Sequence, residues 1–158
     1  AKILSQSGFH TLRFNFRGVG RSEGSWAGGE GELSDLNGVL DYIISRFPGS
    51  RIAVFGFSFG AWIGLNVGSN RSDVGALVAV APPVQDGLFD PCEKSMKPKL
   101  VVYAGRDSVV DRRELVAWTS RLKGLTKVIE IPEADHLFTN EVDSVGRIVS
   151  TFLLEVFD

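Results

Sequence analysis

Five short apolar runs, spread through 158 residues, constrain the fold more than any other feature of this sequence. Most of them are apolar at nearly every position rather than at alternate positions. Strands of that kind are buried on both faces, which is typical of parallel sheets. Between the runs lie stretches with apolar residues at helical spacing. The sequence therefore predicts an α/β fold, a mostly parallel sheet with helices on both faces. The predicted strands are 11–16, 51–56, 76–81, 99–104 and 127–131.

The intervening stretches predict four helices, at 33–47, 61–67, 115–122 and 142–156. For the third of them, Asp111 is the expected N-cap and Gly124 the expected C-terminal stop. The segment from Pro82 to Pro98 is the longest irregular connection, and it is too short for a separate lid domain. Because no repeat, low-complexity segment or linker interrupts the pattern, we expect a single domain over 1–158.

Composition excludes several classes of function. The net charge of −2 gives no electrostatic reason to bind nucleic acid. Two histidines and the single Cys92 argue against a structural zinc site, and one cysteine cannot form an internal disulfide. No apolar run approaches the ~20 residues of a membrane span. We therefore expect no metal, no nucleic-acid partner and no membrane partner, and a cytoplasmic location.

The pattern Gly-x-Ser-x-Gly occurs twice, around Ser22 and around Ser58. A nucleophilic serine of this pattern needs a sharp turn from a strand into a helix, which exposes its hydroxyl at the edge of the sheet. Ser58 has that context, between the strand 51–56 and the helix 61–67. Ser22 also follows a predicted strand, but loop sequence follows it. The context therefore favours Ser58.

A serine nucleophile requires a base, and the base requires an orienting carboxylate. In a parallel α/β sheet with such a serine, the partners should follow it in the order acid, then histidine, each just after a strand. After Ser58 the chain has only His136, just beyond the strand 127–131, and Asp107 follows the strand 99–104. The carboxyl ends of parallel strands open on one edge of the sheet, so the three side chains can converge there. The alternatives for the acid are Asp111, Asp90 and Asp135, while the other histidine, His10, precedes the first strand.

With these residues in place, the chain resembles the α/β-hydrolase superfamily, above all small lidless serine hydrolases related to dienelactone hydrolase. The segments that carry the resemblance are RFNFRGVGRSEG, GFSFGAW, VAPPV, AGRDSVV and ADHLF, in that order. It implies a triad of Ser58, Asp107 and His136, with the backbone N–H of Phe59 donating to an oxyanion. It further implies a small-molecule substrate with an ester or thioester bond, and no cofactor.

The chain departs from this family at its start. In the family, a mid-sheet strand precedes the first helix, and the loop between them supplies a second oxyanion donor. Here residues 1–7 are similar to the tail of that helix. We therefore expect an α/β-hydrolase core that lacks its N-terminal strands, in an N-terminally truncated chain. Either the remaining strands close up, or a gap leaves strand edges exposed.

Three further interpretations concern the glycine-rich loop and the activity as a whole. Arg17 either contacts an acidic group of the substrate or binds loop carbonyls as a structural residue. Gly18 and Gly20 suggest a dinucleotide site, but the third glycine is replaced by Glu23 and no helix opens there. A non-catalytic or inactive fragment of an α/β hydrolase stays open as the alternative to an enzyme.

Overall fold

A four-stranded parallel sheet forms the centre of the molecule in the computed structural model, which describes residues 1–85 and 89–157. Its strands lie side by side in chain order, and each crossover contains at least one helix. All four match predicted strands to within two residues at their N-terminal ends. They are β1 (Ile52–Phe57), β2 (Val74–Val80), β3 (Lys99–Ala104) and β4 (Thr126–Ile131).

Six helices are described, and four of them match predicted helices. They are α1 (Lys2–Gln6), α2 (Glu30–Arg46), α3 (Phe59–Asn70), α4 (Asp90–Lys94), α5 (Arg112–Thr119) and α6 (Val142–Phe157). Asp111 caps α5 as predicted, but this helix ends at Thr119, so Gly124 does not close it. The connection predicted to be irregular contains α4, while its residues 86–88 lie outside the described residues. None of the described helices is long and apolar enough to cross a membrane.

The core lies on both faces of the two central strands. Every residue of β3 is buried, as are six of the seven residues of β2. Helix α3 packs against β1 and β2 and is joined by α2 and α4, whereas α6 packs against β2 and β3 and is joined by α1. The prediction of an α/β sheet covered by helices on both faces is thus confirmed, and the continuous apolar runs are explained by burial on both sides.

The strand predicted at 11–16 is wrong. These residues are not assigned to a strand and do not pair with the described sheet, in which β1 is an edge. A strand needs a neighbour to hydrogen-bond with, and no described strand pairs with the segment or with the free side of β1. Of the two outcomes considered, the structure shows the exposed edge, where Phe55 and Phe57 are 43% and 40% exposed. Side chains hold the segment instead, including an edge-to-face contact between Phe16 and Phe59 of α3.

Candidate active site

Ser58 occupies the turn between β1 and α3 in a strained backbone conformation. Its φ is 49° and its ψ is −121°, outside the regions that a residue with a side chain normally adopts. The turn is anchored to the sheet because the Ser58 N–H donates to the Val80 carbonyl oxygen at 2.8 Å. Strain that the surrounding structure maintains in this way is typical of functional sites.

The two glycines of the motif around Ser58 differ in their surroundings. A methyl group on Gly56 would lie 2.1 Å from the carbonyl oxygen of Gly60, so β1 and α3 approach too closely for any side chain there. A methyl group on Gly60 would meet nothing within 4 Å. Packing therefore requires glycine at position 56 but not at position 60.

His136 lies between the serine and a carboxylate. Its Nε2 is 3.2 Å from the Ser58 Oγ, and its Nδ1 is 2.9 Å from the Asp107 Oδ2. An ionised carboxylate can only accept, so Nδ1–H donates to Asp107 and the Nε2 lone pair faces the Ser58 hydroxyl. The Asp107 side chain is only 4% exposed, which keeps water from competing for this contact.

The Asp107 carboxylate is fixed by the backbone of its own loop. Its Oδ1 accepts hydrogen bonds from the N–H groups of Val109 at 2.8 Å and Val110 at 2.9 Å. These bonds form an Asx-type turn, a local preference of aspartate in loops. They leave the Oδ2 aimed at His136.

The loops that carry the acid and the histidine are also joined to each other. The Arg106 N–H donates to the Ala134 carbonyl oxygen at 3.0 Å. A methyl group on Gly105 would lie 2.3 Å from the Pro132 carbonyl oxygen, so only glycine permits this approach. The relative position of Asp107 and His136 is therefore set by backbone contacts.

The three alternative carboxylates have other surroundings in the structure. Asp111 accepts from two N–H groups at the start of α5, and Asp90 lies in the first turn of α4. Asp135 accepts from the Thr139 hydroxyl at 2.7 Å and from its N–H at 3.0 Å, and these bonds lower the pKa of Asp135. The structure thus brings Asp107 to His136, whereas Asp111 and Asp135 accept hydrogen bonds elsewhere and Asp90 lies in α4.

The alternative serine has a different environment. The Ser22 hydroxyl donates to the Asn15 carbonyl oxygen at 2.9 Å in an exposed turn, and no helix follows it directly. The second histidine, His10, is exposed in the segment before Thr11. Of the two motif serines, Ser58 is the one that lies against a histidine.

Phe59, whose N–H is the predicted oxyanion donor, begins α3. Backbone N–H groups in the first turn of a helix have no intrahelical acceptor, and this end of the helix favours negative charge. The Phe59 ring packs against Trp26 at 5.1 Å and against Phe16 and Trp62 at 5.7 and 5.8 Å. The interpretation of the sequence did not single out Trp26, because it stands in a glycine-rich loop with no periodic pattern.

Arg17 forms an ion pair with Asp35 of α2. Its Nη2 is 2.7 Å from the Asp35 Oδ1, and its backbone N–H donates to the Oδ2 at 2.9 Å. The hydrogen bonds from Arg17 lower the pKa of Asp35. This geometry favours a structural role for Arg17, with a carboxylate of α2 as its partner in place of the loop carbonyls expected from the sequence, and a contact with substrate stays a prediction.

An apolar groove of ≈ 310 Å³ runs beside the site, lined in part by Phe57 and Leu137. These residues adjoin Ser58 and His136 in the chain, and the Phe57 ring lies 5.3 Å from the His136 ring. Within residues 1–85 and 89–157, no group of three or more His, Cys, Asp or Glu side chains could hold a metal ion.

A parallel α/β sheet with a strained serine after its first strand, and an aspartate and a histidine after its last two, defines the class of α/β hydrolases. A family model described as "Serine aminopeptidase, S33" matches residues 1–97, more than half of the chain. The chain belongs to this family of serine hydrolases.

Solved structures agree with the assignment, and the chain is also similar to one curated protein of undescribed function. An α/β serine hydrolase homologue from Coxiella burnetii is 32% identical with a TM-score of 0.88, over 95% of this chain and 72% of that one. A lidless α/β serine hydrolase from Xanthomonas campestris is 28% identical with a TM-score of 0.81, over 90% and 65%. An uncharacterized protein of Rickettsia prowazekii is 29% identical over 98% of this chain and 69% of its own length. The resemblance predicted from the sequence is confirmed.

Proposed function

We propose that this hydrolase cleaves carboxylic esters or thioesters through an acyl-enzyme on Ser58. The observation that supports this most directly is the continuous contact from the Ser58 Oγ through His136 to Asp107, at 3.2 and 2.9 Å. In that arrangement a histidine can accept the hydroxyl proton while a buried carboxylate stabilises the resulting imidazolium.

The first half of the reaction acylates the serine. The Ser58 Oγ attacks the substrate carbonyl carbon as its proton passes to the His136 Nε2. The Phe59 N–H donates to the oxyanion of the tetrahedral intermediate, an interaction whose loss costs ~10²–10³ in rate in other enzymes. When the intermediate collapses, the imidazolium returns the proton to the departing alkoxide or thiolate.

The second half repeats these steps with water. His136 removes a proton from the water molecule that attacks the acyl carbon, and Ser58 leaves with that proton restored. The net products are a carboxylic acid and an alcohol or thiol. Alcohols and thiols are better leaving groups than amines. We therefore propose esters and thioesters as substrates in preference to peptides, although the matching family is described as a serine aminopeptidase.

Labelling by a fluorophosphonate tests the proposal. The serine oxygen displaces fluoride from phosphorus, and mass spectrometry locates the adduct. We expect labelling of the wild-type chain and of Ser22→Ala, and none of Ser58→Ala or His136→Ala. Absence of labelling in a folded wild-type chain, or loss with Ser22→Ala, would overturn the assignment and favour a non-catalytic member of the family.

Matched substrates then test the leaving group. An ester, a thioester and an arylamide of the same acyl group are compared by kcat/KM. We expect turnover of the ester and thioester to exceed that of the amide. Faster amide than ester cleavage would refute the proposed substrate class while leaving the nucleophile in place.

A further inference from the structure

Trp26 is a large aromatic residue that the structure leaves 64% exposed. It belongs to the loop 17–29, which connects the segment ending at Phe16 to α2. An isolated exposed tryptophan is unremarkable on a mobile surface. Here, however, several contacts hold the loop in place.

The loop is attached at both of its ends. Arg17 is joined to Asp35 of α2 by its side chain and by its backbone N–H. At the other end, the buried carboxylate of Glu32 accepts hydrogen bonds from the N–H groups of Gly29 at 2.8 Å and Ala27 at 3.1 Å. A fully buried carboxylate bound to the backbone on either side of Gly28 keeps this part of the loop from rearranging.

These attachments place the loop on the first turn of α3. Gly29 approaches the Trp62 ring so closely that a methyl group would lie 2.6 Å from it. The Trp26 ring packs against Phe59 with centroids 5.1 Å apart and planes at 59°. Phe59 directly follows Ser58 and carries the proposed oxyanion donor, so Trp26 packs against the residue next to the candidate nucleophile and leaves most of its own surface exposed.

We infer that Trp26 binds an aromatic ring of the substrate, which makes aryl esters the favoured substrate class. This inference rests on the proposed function. Tilted and offset rings at 4.5–7 Å attract each other beyond the area they bury, and a substrate ring against Trp26 extends the existing contact with Phe59. An alkyl chain at the same place gains only from burial of apolar area.

Kinetics with paired substrates test the inference. Phenyl acetate is compared with ethyl acetate, and methyl benzoate with methyl butyrate, in the wild-type chain and in Trp26→Ala and Trp26→Phe. We expect Trp26→Ala to lower kcat/KM about 3- to 10-fold more for one aryl ester than for its alkyl partner, with Trp26→Phe close to wild type. The pair that responds shows whether the ring belongs to the acyl or to the leaving group.

Phe47→Ala supplies the matched control. Phe47 is 58% exposed at the C-terminal end of α2, whereas the loop 17–29 precedes the N-terminal end of this helix. We expect Phe47→Ala to leave the aryl-to-alkyl ratio of kcat/KM unchanged in both substrate pairs. An equal loss for aryl and alkyl esters in Trp26→Ala would mean that the ring only supports the loop, and would overturn the inference.

A binding measurement separates this inference from the proposed reaction. In Ser58→Ala, which is not expected to turn over esters, the indole N–H signal of Trp26 is followed by NMR during titration with ethyl benzoate, with phenyl acetate and with ethyl butyrate. Trp26→Phe assigns the signal, and the buried Trp118 is the internal reference. We expect a saturable shift of the Trp26 signal with one of the two aryl esters and little with the butyrate. Equal shifts with all three esters, or none, would overturn the aryl site. An aryl-specific shift, combined with no fluorophosphonate labelling of the wild-type chain, would support the aryl site and refute the hydrolase.

Discussion

Replacing Gly56 by alanine tests how closely β1 and α3 must approach to form the turn at Ser58. The new methyl group would lie 2.1 Å from the Gly60 carbonyl oxygen, 2.3 Å from its carbon and 2.5 Å from the Ala61 Cα. Each distance is inside the 3.4 Å at which ordinary van der Waals contact begins. All three atoms belong to the backbone, so no side-chain rotation relieves the overlap, and the start of α3 has to move away from the strand.

The expected cost follows from that overlap. Overpacking a core with side-chain atoms costs about 1–3 kcal/mol, and a clash with fixed backbone falls at or above the top of this range. A loss of about 3 kcal/mol in a domain of this size lowers Tm by about 6–12 °C. Fluorophosphonate labelling should fall in parallel, because displacement of α3 also displaces the Ser58 turn.

Gly60→Ala is the matched control within the same motif. A methyl group there meets no atom within 4 Å, and alanine is favoured over glycine in a helix by up to ~1 kcal/mol. Its Tm should therefore equal that of the wild type or exceed it slightly, with labelling retained. Thermal unfolding followed by circular dichroism measures both variants. Equal Tm values for Gly56→Ala and Gly60→Ala would refute the close approach of strand and helix.

Three further changes probe the site and its support. Asp107→Asn keeps an oxygen for the two loop N–H groups but no longer fixes the His136 tautomer, so kcat should fall by about 10⁴-fold, as in other triads, with folding unchanged by circular dichroism. Lys99→Met removes a buried ammonium that donates to three backbone carbonyls. The free energy of unfolding, measured in urea, should therefore fall by about 3 kcal/mol, whereas it should change little in Lys123→Met, at an exposed position. Asp35→Asn should destabilise the protein most at neutral pH. Hydrogen bonds from Arg17 lower the pKa of Asp35 in the folded protein. Their contribution to stability is therefore complete at pH values above the pKa of an unfolded aspartate, about 3.9, and it is lost as the pH falls through the lower pKa of the folded state.

Each of these expectations has an outcome that contradicts it. Unchanged kcat in Asp107→Asn would mean that another group orients His136. Equal stability of the two lysine variants would mean that the carbonyls around Lys99 find water once its side chain is removed. A stability difference between Asp35→Asn and wild type that grows from pH 7 to pH 3 would contradict the assigned direction of the Asp35 pKa.

The predicted helices and strands that the structure confirms are those whose local hydrophobic pattern agrees with their burial in the fold. The apolar runs of β2 and β3 are buried on both faces, and the apolar stripe of α6 faces the sheet. The hydrophobic pattern alone was therefore sufficient to predict these elements. The segment 11–16 shows the limit of that approach. Its residues favour a strand, but a strand is completed only by the hydrogen bonds of a neighbour, which local sequence does not contain.

The candidate site shows the same division. The order of serine, acid and histidine placed Ser58, Asp107 and His136 after strands that open on one edge of the sheet. The sequence already predicted that Asp111 caps a helix, but only the structure shows that Asp135 binds Thr139 and that Asp107 contacts His136. These roles depend on which loop folds over which, and such contacts leave no periodic signal.

The sequence by itself determined the α/β class, the four paired strands and the serine that stands between a strand and a helix. These features depend on local periodicity and turn chemistry, which are properties of neighbouring residues. Tertiary structure alone decided that Asp107 contacts His136, that Arg17 is paired with Asp35, and that Trp26 lies on Phe59 beside Ser58. Those contacts join residues far apart in the chain, and they exist only because the sheet brings its loops to one edge.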